Sequence, residues 1–156
     1  MNDIRPDFVM EMTVTWGDCD AAGISYYART FDWFTNARMQ LLAAHGFPYM
    51  DAFHREGISM VCLTADCKYK KTLRPEEKIA VHASLTELSR ARLTFHYRVM
   101  KLDGQLAAEG STTHAYLDND GNPFNLKKRH PRLWGRLTAN WSALTDEETR
   151  LTDKGR

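Results

Sequence analysis

The first third of the chain changes from a two-residue repeat of apolar positions to a helical one. Residues 8–16, FVMEMTVTW, alternate apolar and polar side chains, which predicts a strand with one buried face. After the loop GDCDAAGIS, apolar residues recur at steps of three or four, which predicts a helix over residues 26–45. The recurring positions are Tyr27, Phe31, Phe34, Ala37, Leu41 and Ala44. The sequence HGFP ends this helix with glycine and then proline.

The predicted helix is more apolar than a helix that packs on a single neighbour. Trp33, Met39 and Leu42 widen its apolar stripe well beyond one narrow face. Because such a helix has to bury most of its surface, we expect another element to wrap around it.

The rest of the chain predicts a short helix over residues 50–57 and then four strands. The strand-like segments cover residues 58–71, 78–88, 92–102 and 105–118. The turn LDGQ is typical of a tight hairpin because Asp-Gly tolerates positive φ. Beyond Phe124 the sequence is basic and then acidic, with room for one or two short helices.

One strand, one long helix and four antiparallel strands indicate a single curved sheet wrapped around a central helix. This arrangement is the hot-dog fold, so the predicted fold class is α+β. A chain of 156 residues suits one domain with one core. We therefore expect a single domain over residues 1–156, with its core at about residues 8–124 and a C-terminal tail.

Charge and composition narrow the possible partners. The net charge of +1 argues against a nucleic-acid partner, and the apolar runs are too short to span a bilayer. The first residues lack the apolar run of a signal peptide, and the odd count of three cysteines fits reduced thiols. The histidines show no zinc-ligand spacing with the cysteines. We expect a cytoplasmic protein without a membrane or nucleic-acid partner and without a metal.

The candidate chemistry lies in the loop, where Asp18 and Asp20 flank Cys19. Carboxylates beside an apolar element are costly unless they are hydrogen-bonded or used in chemistry. A helix N-terminus offers unpaired N–H groups and the positive end of the dipole, which suits a developing oxyanion. Asp20, a few residues upstream, could attack a carbonyl polarised there or activate water as a general base. A thioester fits this site because a thiolate leaves without a strong acid.

The segment WGDCDAAGISYYARTFDWFTNA resembles the active-site segment of the 4-hydroxybenzoyl-CoA thioesterase family. The family pattern is Asp-x-Asp-x-x-Gly followed by an aromatic residue or histidine that enters the central helix. The resemblance continues more loosely through CKYKKTLRPEEKIAVHASL to about Asp118. It implies an acyl-CoA thioesterase for an aromatic substrate such as 4-hydroxybenzoyl-CoA or a short- or medium-chain acyl-CoA. It also implies no bound cofactor, and a homodimer or homotetramer with sites between subunits.

The same resemblance assigns individual roles. Asp20 matches the catalytic carboxylate, Gly23 the motif glycine, and Tyr27 the residue whose backbone N–H binds the thioester oxygen. Arg90 and Arg92 lie in the turn that helps to hold the phosphates of coenzyme A in related enzymes.

Two further assignments concern the phosphates and the acyl group. The tail residues Lys127, Lys128 and Arg129 offer replacement charge beside that turn. In enzymes devoted to 4-hydroxybenzoyl-CoA, an acidic residue on the central helix helps to hold the hydroxyl of the substrate ring. The resemblance places Thr35 at this position in the present sequence. Asp32 or Asn36, one turn away, are the alternatives, so the acyl specificity is open.

Other interpretations of these residues stay open at this point. Asp20 could cap the helix, and Asp18 is expected to be structural, accepting hydrogen bonds from loop N–H groups. Cys19 could be a nucleophile, although a small buried residue is the expected role. A magnesium or phosphotransferase loop is disfavoured because Ala22 stands where serine or threonine is expected. His114 with an acid would suit a hot-dog dehydratase, and a non-catalytic acyl-thioester binding module is a further alternative.

Overall fold

The computed structural model describes residues 5–145, and these residues form one antiparallel five-stranded sheet with a long helix on one face. The spatial order of the strands is β1-β3-β4-β5-β2. The strands are β1 (Phe8–Thr13), β2 (Ser59–Tyr69), β3 (Lys78–Leu88), β4 (Arg92–Lys101) and β5 (Leu106–Leu117). The predicted α+β hot-dog fold is confirmed.

Several helices accompany the sheet, and the long one begins later than predicted. They include α1 (Arg29–Ala44), α2 (Tyr49–Ala52), α3 (Leu126–Arg129) and α4 (Pro131–Asn140). The prediction that α1 begins at residue 26 is wrong because the Tyr26 N–H donates to the Asp18 carbonyl oxygen at 2.7 Å. That bond holds the chain in a turn until Arg29, whose N–H donates to the Tyr26 carbonyl oxygen at 2.9 Å.

The sheet wraps around α1 as the apolar pattern predicted. Phe34 is fully buried and stacks on Tyr97 of β4, with ring centroids 4.3 Å apart and planes 7° apart. Phe31, another of the recurring apolar positions and one that we expected to be nearly buried from the helical pattern, is only half-buried. A Cβ on Gly110 of β5 would lie 3.0 Å from Phe34 Cε2 and 2.0 Å from the Asp66 carbonyl oxygen. Glycine at this position lets the helix ring and the neighbouring strand approach β5 closely.

The edge strand β2 is covered much less than the central strands. Buried and half-buried residues alternate along β5, whereas residues 62–66 of β2 are all exposed. The pairing register shifts between Cys62 and Thr64, and Leu63 at this bulge keeps 46% of its surface exposed. Helix α1 packs more closely on β1 and β3 than on β2. The inner face of β2 at Cys62 and Ala65, which pair with the buried His114 and Thr112 of β5, is therefore exposed beside α1, and this exposed strip is called the β2 groove below.

The C-terminal helix returns to the start of the chain and joins the core. Leu133, Leu137 and Trp141 pack into the same apolar cluster as the residues of α1 and the sheet. The Trp141 Nε1–H donates to Asp7 Oδ2 at 3.1 Å, and the Leu85 N–H donates to the same oxygen at 2.8 Å. One carboxylate thus ties the N-terminal segment, β3 and the end of α4 together. The acidic part of the predicted tail lies outside the described residues.

The helices were compared with the length and hydropathy that a membrane span requires. Within residues 5–145, no helix is both long and apolar enough to cross a membrane.

Replacing Asp7 with alanine is expected to lower the free energy of unfolding by about 2 kcal/mol, because two partly buried N–H donors lose their acceptor. Urea denaturation followed by tryptophan fluorescence measures the change. Asp51→Ala is the matched control, since Asp51 makes only an exposed ion pair with Arg55 and should change stability by less than about 0.5 kcal/mol. Equal effects of the two substitutions would contradict a clamping role for Asp7.

Candidate active site

The loop between β1 and α1 is folded by its own carboxylates. Asp18 Oδ2 accepts a hydrogen bond from the Thr15 N–H at 2.9 Å, which is the structural role expected for this residue. Asp20 Oδ1 accepts from the Ala22 N–H at 2.9 Å, and the Gly23 N–H donates to the Asp20 carbonyl oxygen at 3.0 Å. Gly23 has a φ of +75°, a conformation that favours glycine. The motif glycine therefore closes the turn that presents Asp20.

Asp20 does not cap the central helix. The N-cap residue of α1 is Ala28, which makes no side-chain capping bond. Asp20 is exposed, and its carboxylate makes one hydrogen bond within the loop. The capping interpretation is therefore wrong, and the second carboxylate oxygen remains available for a substrate or a water molecule.

The turn before α1 leaves two backbone donors unused. Within residues 5–145, neither the Tyr27 nor the Ala28 N–H donates a hydrogen bond. The Tyr27 side chain is 63% exposed, and its carbonyl oxygen accepts a hydrogen bond from the Tyr69 hydroxyl of β2. Burial raises the pKa of Tyr69 to about 12, so this hydroxyl keeps its proton at neutral pH. Unpaired N–H groups at the positive end of a helix form a site for an oxyanion.

Asp20 lies within electrostatic reach of this helix start. The pKa of the Tyr26 phenol is raised, first by its hydrogen bond with Tyr27 and, as a smaller cause, by the charge of Asp20. The loop thus supplies a carboxylate, and the following turn supplies two backbone N–H groups without a partner among residues 5–145.

Cys19 has the properties of a structural thiol. Its side chain is half-buried, and Sγ donates to the Thr15 carbonyl oxygen at 3.5 Å. Desolvation raises the pKa of this thiol, and the charges of Asp18 and Asp20 raise it further. Little thiolate forms at neutral pH as a result, which argues against a nucleophilic role.

The predicted phosphate-binding residues gather at one end of the sheet. Arg90 and Arg92 are exposed in the β3–β4 turn, and the Leu126 N–H donates to the Arg90 carbonyl oxygen at 2.8 Å. This bond brings the exposed Lys127 and Lys128 of α3 beside the turn. These four side chains, Arg90, Arg92, Lys127 and Lys128, are called the basic patch.

Arg129, the third basic residue of the predicted tail cluster, is engaged elsewhere. It donates to Asp118 at 3.0 Å and lies over the ring of Phe124. Its guanidinium is therefore less available to a phosphate than the residues of the basic patch.

The basic patch and the helix start lie at opposite ends of the chain's sheet. Tyr69, which contacts Tyr27, pairs with Ala108, and Ala108 pairs with Val99 of β4. Arg92 is at the other end of β4, a strand distance of about 23 Å from Val99. One chain alone therefore holds the two predicted parts of the site far apart.

The three candidates for acyl recognition lie on two flanks of α1. Thr35 is exposed and its hydroxyl donates to the Phe31 carbonyl oxygen at 3.0 Å, within its own helix. Asp32 and Asn36 line a groove on the β1 side, together with Asp18. Thr35 is one turn from Phe31 and from Arg38, so it borders the β2 groove instead.

His114 is not placed to act with Asp20. It is 2% exposed, and its Nε2 lies 2.8 Å from the Thr112 hydroxyl oxygen. Burial, assisted by the charge of Arg38, lowers the pKa of His114 to about 4. It lies six residues along β5 from Ala108, about 20 Å from the level of the helix start. A dehydratase site with both groups is therefore not assembled within one chain.

Two residues near the site escaped the sequence analysis. Tyr69 contacts Tyr27 only through the strand register, for which the sequence carries no local signal. Arg38 is buried on the apolar face of α1, and its signal was a charged residue four positions after Phe34. Among residues 5–145, no three His, Cys, Asp or Glu side chains gather where they could hold a metal ion.

Comparison with known proteins assigns the family. The model of the Thioesterase-like superfamily matches residues 14–142, and the chain belongs to this superfamily. An Aquifex aeolicus protein, provisionally named an esterase, is 37% identical over 112 residues, which are 72% of this chain and 86% of the relative. The Escherichia coli acyl-CoA thioester hydrolase YbgC is 23% identical over 122 residues, 78% of this chain and 87% of the relative.

A solved structure shows the same architecture. The DHNA-CoA thioesterase from Staphylococcus aureus superposes with a TM-score of 0.76 at 25% identity, covering 95% of this chain and 94% of that one. The protein is thus a hot-dog acyl-CoA thioesterase.

Proposed function

We propose that this acyl-CoA thioesterase cleaves its substrate with the Asp20 carboxylate, while the N–H groups of Tyr27 and Ala28 stabilise the oxyanion. The observation that carries the proposal is the pair of unused N–H donors next to a loop carboxylate with a free oxygen. Such donors act on charge that develops in the transition state, where they are worth most. Gly23 presents the carboxylate, and Asp18 shapes the loop around it.

Two chemical routes to hydrolysis use these groups. In the first, an Asp20 oxygen attacks the thioester carbon, the carbon–sulfur bond breaks, and coenzyme A leaves as a thiolate. Water then hydrolyses the mixed anhydride to the free acid and regenerates Asp20. In the second, Asp20 takes a proton from water, the hydroxide attacks the same carbon, and the proton passes to the departing thiolate. In both routes the carbonyl oxygen receives the negative charge at the helix start.

The substrate is an acyl-CoA thioester, and its acyl group extends from the helix start between α1 and β2. The resemblance of the WGDCDAAGI loop supports placing the protein with the 4-hydroxybenzoyl-CoA thioesterases inside the superfamily. The Staphylococcus aureus relative is named for a naphthoyl-type substrate and the Escherichia coli relative for acyl-CoA in general. Thr35, which borders the β2 groove, is neutral, so a general acyl-CoA substrate fits as well as a hydroxybenzoyl one.

The complete site forms between two copies of the chain. A twofold pairing of β2 with β2 of a second copy reverses the strand direction, so it places the partner's basic patch toward this chain's helix start. The basic patch then holds the phosphates of coenzyme A while Tyr27 and Asp20 of the other copy hold the thioester. The exposure of Leu63 (46%) and Tyr69 (49%) on β2 supports this pairing, since open edges with apolar side chains invite association. A tetramer of two such dimers and a cytoplasmic location stay predictions.

Replacing Asp20 with asparagine is expected to lower acyl-CoA hydrolysis at least ~10²-fold, because the charge that attacks or activates water is lost. The variant should keep its fold and oligomeric state, and isothermal titration should still detect binding of an intact acyl-CoA. Release of free thiol from several acyl-CoAs measures the rate. Asp18→Asn and Cys19→Ala are the controls and should keep much more activity. A fully active Asp20→Asn beside an inactive Cys19→Ala would show that the cysteine is the nucleophile.

Arg90→Ala is expected to raise KM for acyl-CoA more than it lowers kcat, because a contact to a remote phosphate is present in both ground and transition states. The difference from the unchanged protein should shrink at high salt, since the contact is exposed. Steady-state kinetics at two ionic strengths measure both effects. Arg55→Ala, an exposed arginine of the turn after α2, is the control. An unchanged KM would contradict a role of the β3–β4 turn in binding coenzyme A.

The pairing of β2 is expected to give a dimer, or a dimer of dimers, in sedimentation velocity at micromolar concentration. Leu63→Lys places a charge in the middle of the pairing edge and should shift the population toward monomer with loss of hydrolysis. Val9→Lys, on the opposite edge strand β1, is the matched control because Val9 is similarly exposed at 41%. A protein that is monomeric yet fully active would contradict the intersubunit site.

A further inference from the structure

Arg38 is a buried charge that has no ion-pair partner among residues 5–145. It is 9% exposed, and its Nη1 donates to the Tyr97 hydroxyl oxygen at 3.1 Å. The ion pairs seen within residues 5–145 do not include Arg38. A guanidinium removed from water without a carboxylate partner is costly, so an anion is expected to complete its surroundings.

The hydroxyl that holds Arg38 belongs to a chain of buried polar groups. The Tyr97 and Thr112 hydroxyl oxygens lie 2.6 Å apart, and Thr112 Oγ1 lies 2.8 Å from His114 Nε2. The low pKa of His114, about 4, keeps its ring neutral at pH 7. Arg38 therefore carries the only positive charge in this chain of four side chains.

These side chains lie at the far end of the β2 groove. Thr112 and His114 are on the inner face of β5, and His114 is paired with the exposed Cys62 of β2. Within residues 5–145, no fully buried side-chain nitrogen or oxygen lacks a partner. Nη1 is the guanidinium nitrogen of Arg38 with a hydrogen-bond partner there, so its other two nitrogens each keep a small accessible surface.

The distance from the helix start is suited to the end of an acyl group. Arg38 is nine residues after Arg29, the first residue of α1, which is about 13 Å along the helix axis. The side chain of a helical arginine leans back toward the N-terminus, which shortens this distance. An acyl group that leaves the thioester at Tyr27 and follows the β2 groove therefore points its end at Arg38.

We propose that Arg38 binds a carboxylate at the far end of the acyl group, so that the preferred substrates are CoA thioesters of medium-length dicarboxylic acids. Tyr97 and Thr112 position the guanidinium, and Arg38 supplies charge-assisted hydrogen bonds to the carboxylate. This inference rests on the proposed function, because the thioester must lie at the helix start for the acyl end to reach Arg38.

Matched pairs of substrates test the proposal in the full-length protein. Pentanoyl- and glutaryl-CoA, octanoyl- and suberyl-CoA, and decanoyl- and sebacyl-CoA differ within each pair mainly by the terminal carboxylate. The unchanged protein should have the higher kcat/KM for the dicarboxylic member at the length that reaches Arg38. Arg38→Met removes the charge and should raise KM for that substrate about 10- to 100-fold, the value of a hydrogen bond between charged groups. KM for its monocarboxylic partner should stay the same or fall.

Two further variants keep the test decisive. Arg98→Met removes an arginine that lines a groove on the outer face of the same sheet with His82 and Glu109, and it should leave the preference unchanged. Arg38→Lys keeps the charge but loses the planar donor pair, so it should retain part of the preference. If Arg38→Met does not fold, as judged by circular dichroism, the test rests on Arg38→Lys. A smaller preference for the dicarboxylic substrate in Arg38→Lys than in the unchanged protein would support the proposal, and an equal preference would contradict it.

The possible failures are distinguishable. Hydrolysis of octanoyl-CoA that depends on Asp20, without any preference for dicarboxylic esters, would overturn this inference and leave the proposed function standing. A protein that hydrolyses none of the six thioesters but cleaves an aromatic acyl-CoA in an Asp20-dependent way would overturn this inference alone, and a protein that cleaves no acyl-CoA of either kind would overturn both. Dissociation of Arg38→Met to monomers, with equal losses on both members of a pair, would show that Arg38 pairs with an acid of the partner subunit instead.

Discussion

The burial of one apolar helix inside one curved sheet is the constraint on which the rest of this structure depends. Phe34 is enclosed completely, stacked on Tyr97, and Gly110 removes the side chain that would hold the strand away from it. Because the body of α1 is covered, its polar ends must emerge at the rim of the sheet. The exposed N-terminal end is where backbone donors remain unpaired and where the loop carboxylate lies.

The division of the sheet into a covered part and an open edge is the basis for our proposal that two chains share one active site. Helix α1 packs on β1 and β3 and leaves the inner face of β2 open. The strand directions then separate the helix start from the basic patch by most of the length of the sheet. A twofold axis at the open edge is an economical way to bring unlike ends of identical chains together. In the proposed dimer, the pairing of β2 would both cover an exposed sheet edge and complete the site.

Polar groups in this protein fall into two kinds. The loop carboxylates at the rim are supported by neighbouring N–H groups, so the loop holds its shape with Asp20 still open to solvent. The polar chain under the helix, from Arg38 to His114, is buried and carries one uncompensated charge. A low dielectric constant raises the free-energy cost of burying that charge, and it also strengthens the attraction between the charge and a bound anion. Our proposals assign the chemistry on the thioester to the first kind and the discrimination between acyl groups to the second.

Local patterns in the sequence determined the helices and strands and which polar residues the loop before α1 contains, because these features depend on residues a few positions apart. Strand β3 begins and ends at the predicted residues, Lys78 and Leu88. The role expected for Asp18 in shaping the loop follows from a hydrogen bond with the Thr15 N–H, three positions away. The start of α1 was placed three residues early because the Tyr26 N–H is held by the Asp18 carbonyl oxygen, eight positions away, a contact that the helical pattern does not show.

Contacts between distant segments were decided only by the tertiary structure. Strand register brings Tyr69 to Tyr27, and the docking of α3 brings Lys127 and Lys128 beside Arg90. The burial of Arg38 against Tyr97 and Thr112 likewise joins α1, β4 and β5. Periodicity shows which face of an element is buried, but it does not show which residue of another element lies opposite. That pairing depends on the packing of the whole core, and so the sequence identified the chemistry of the site while the fold decided its neighbours.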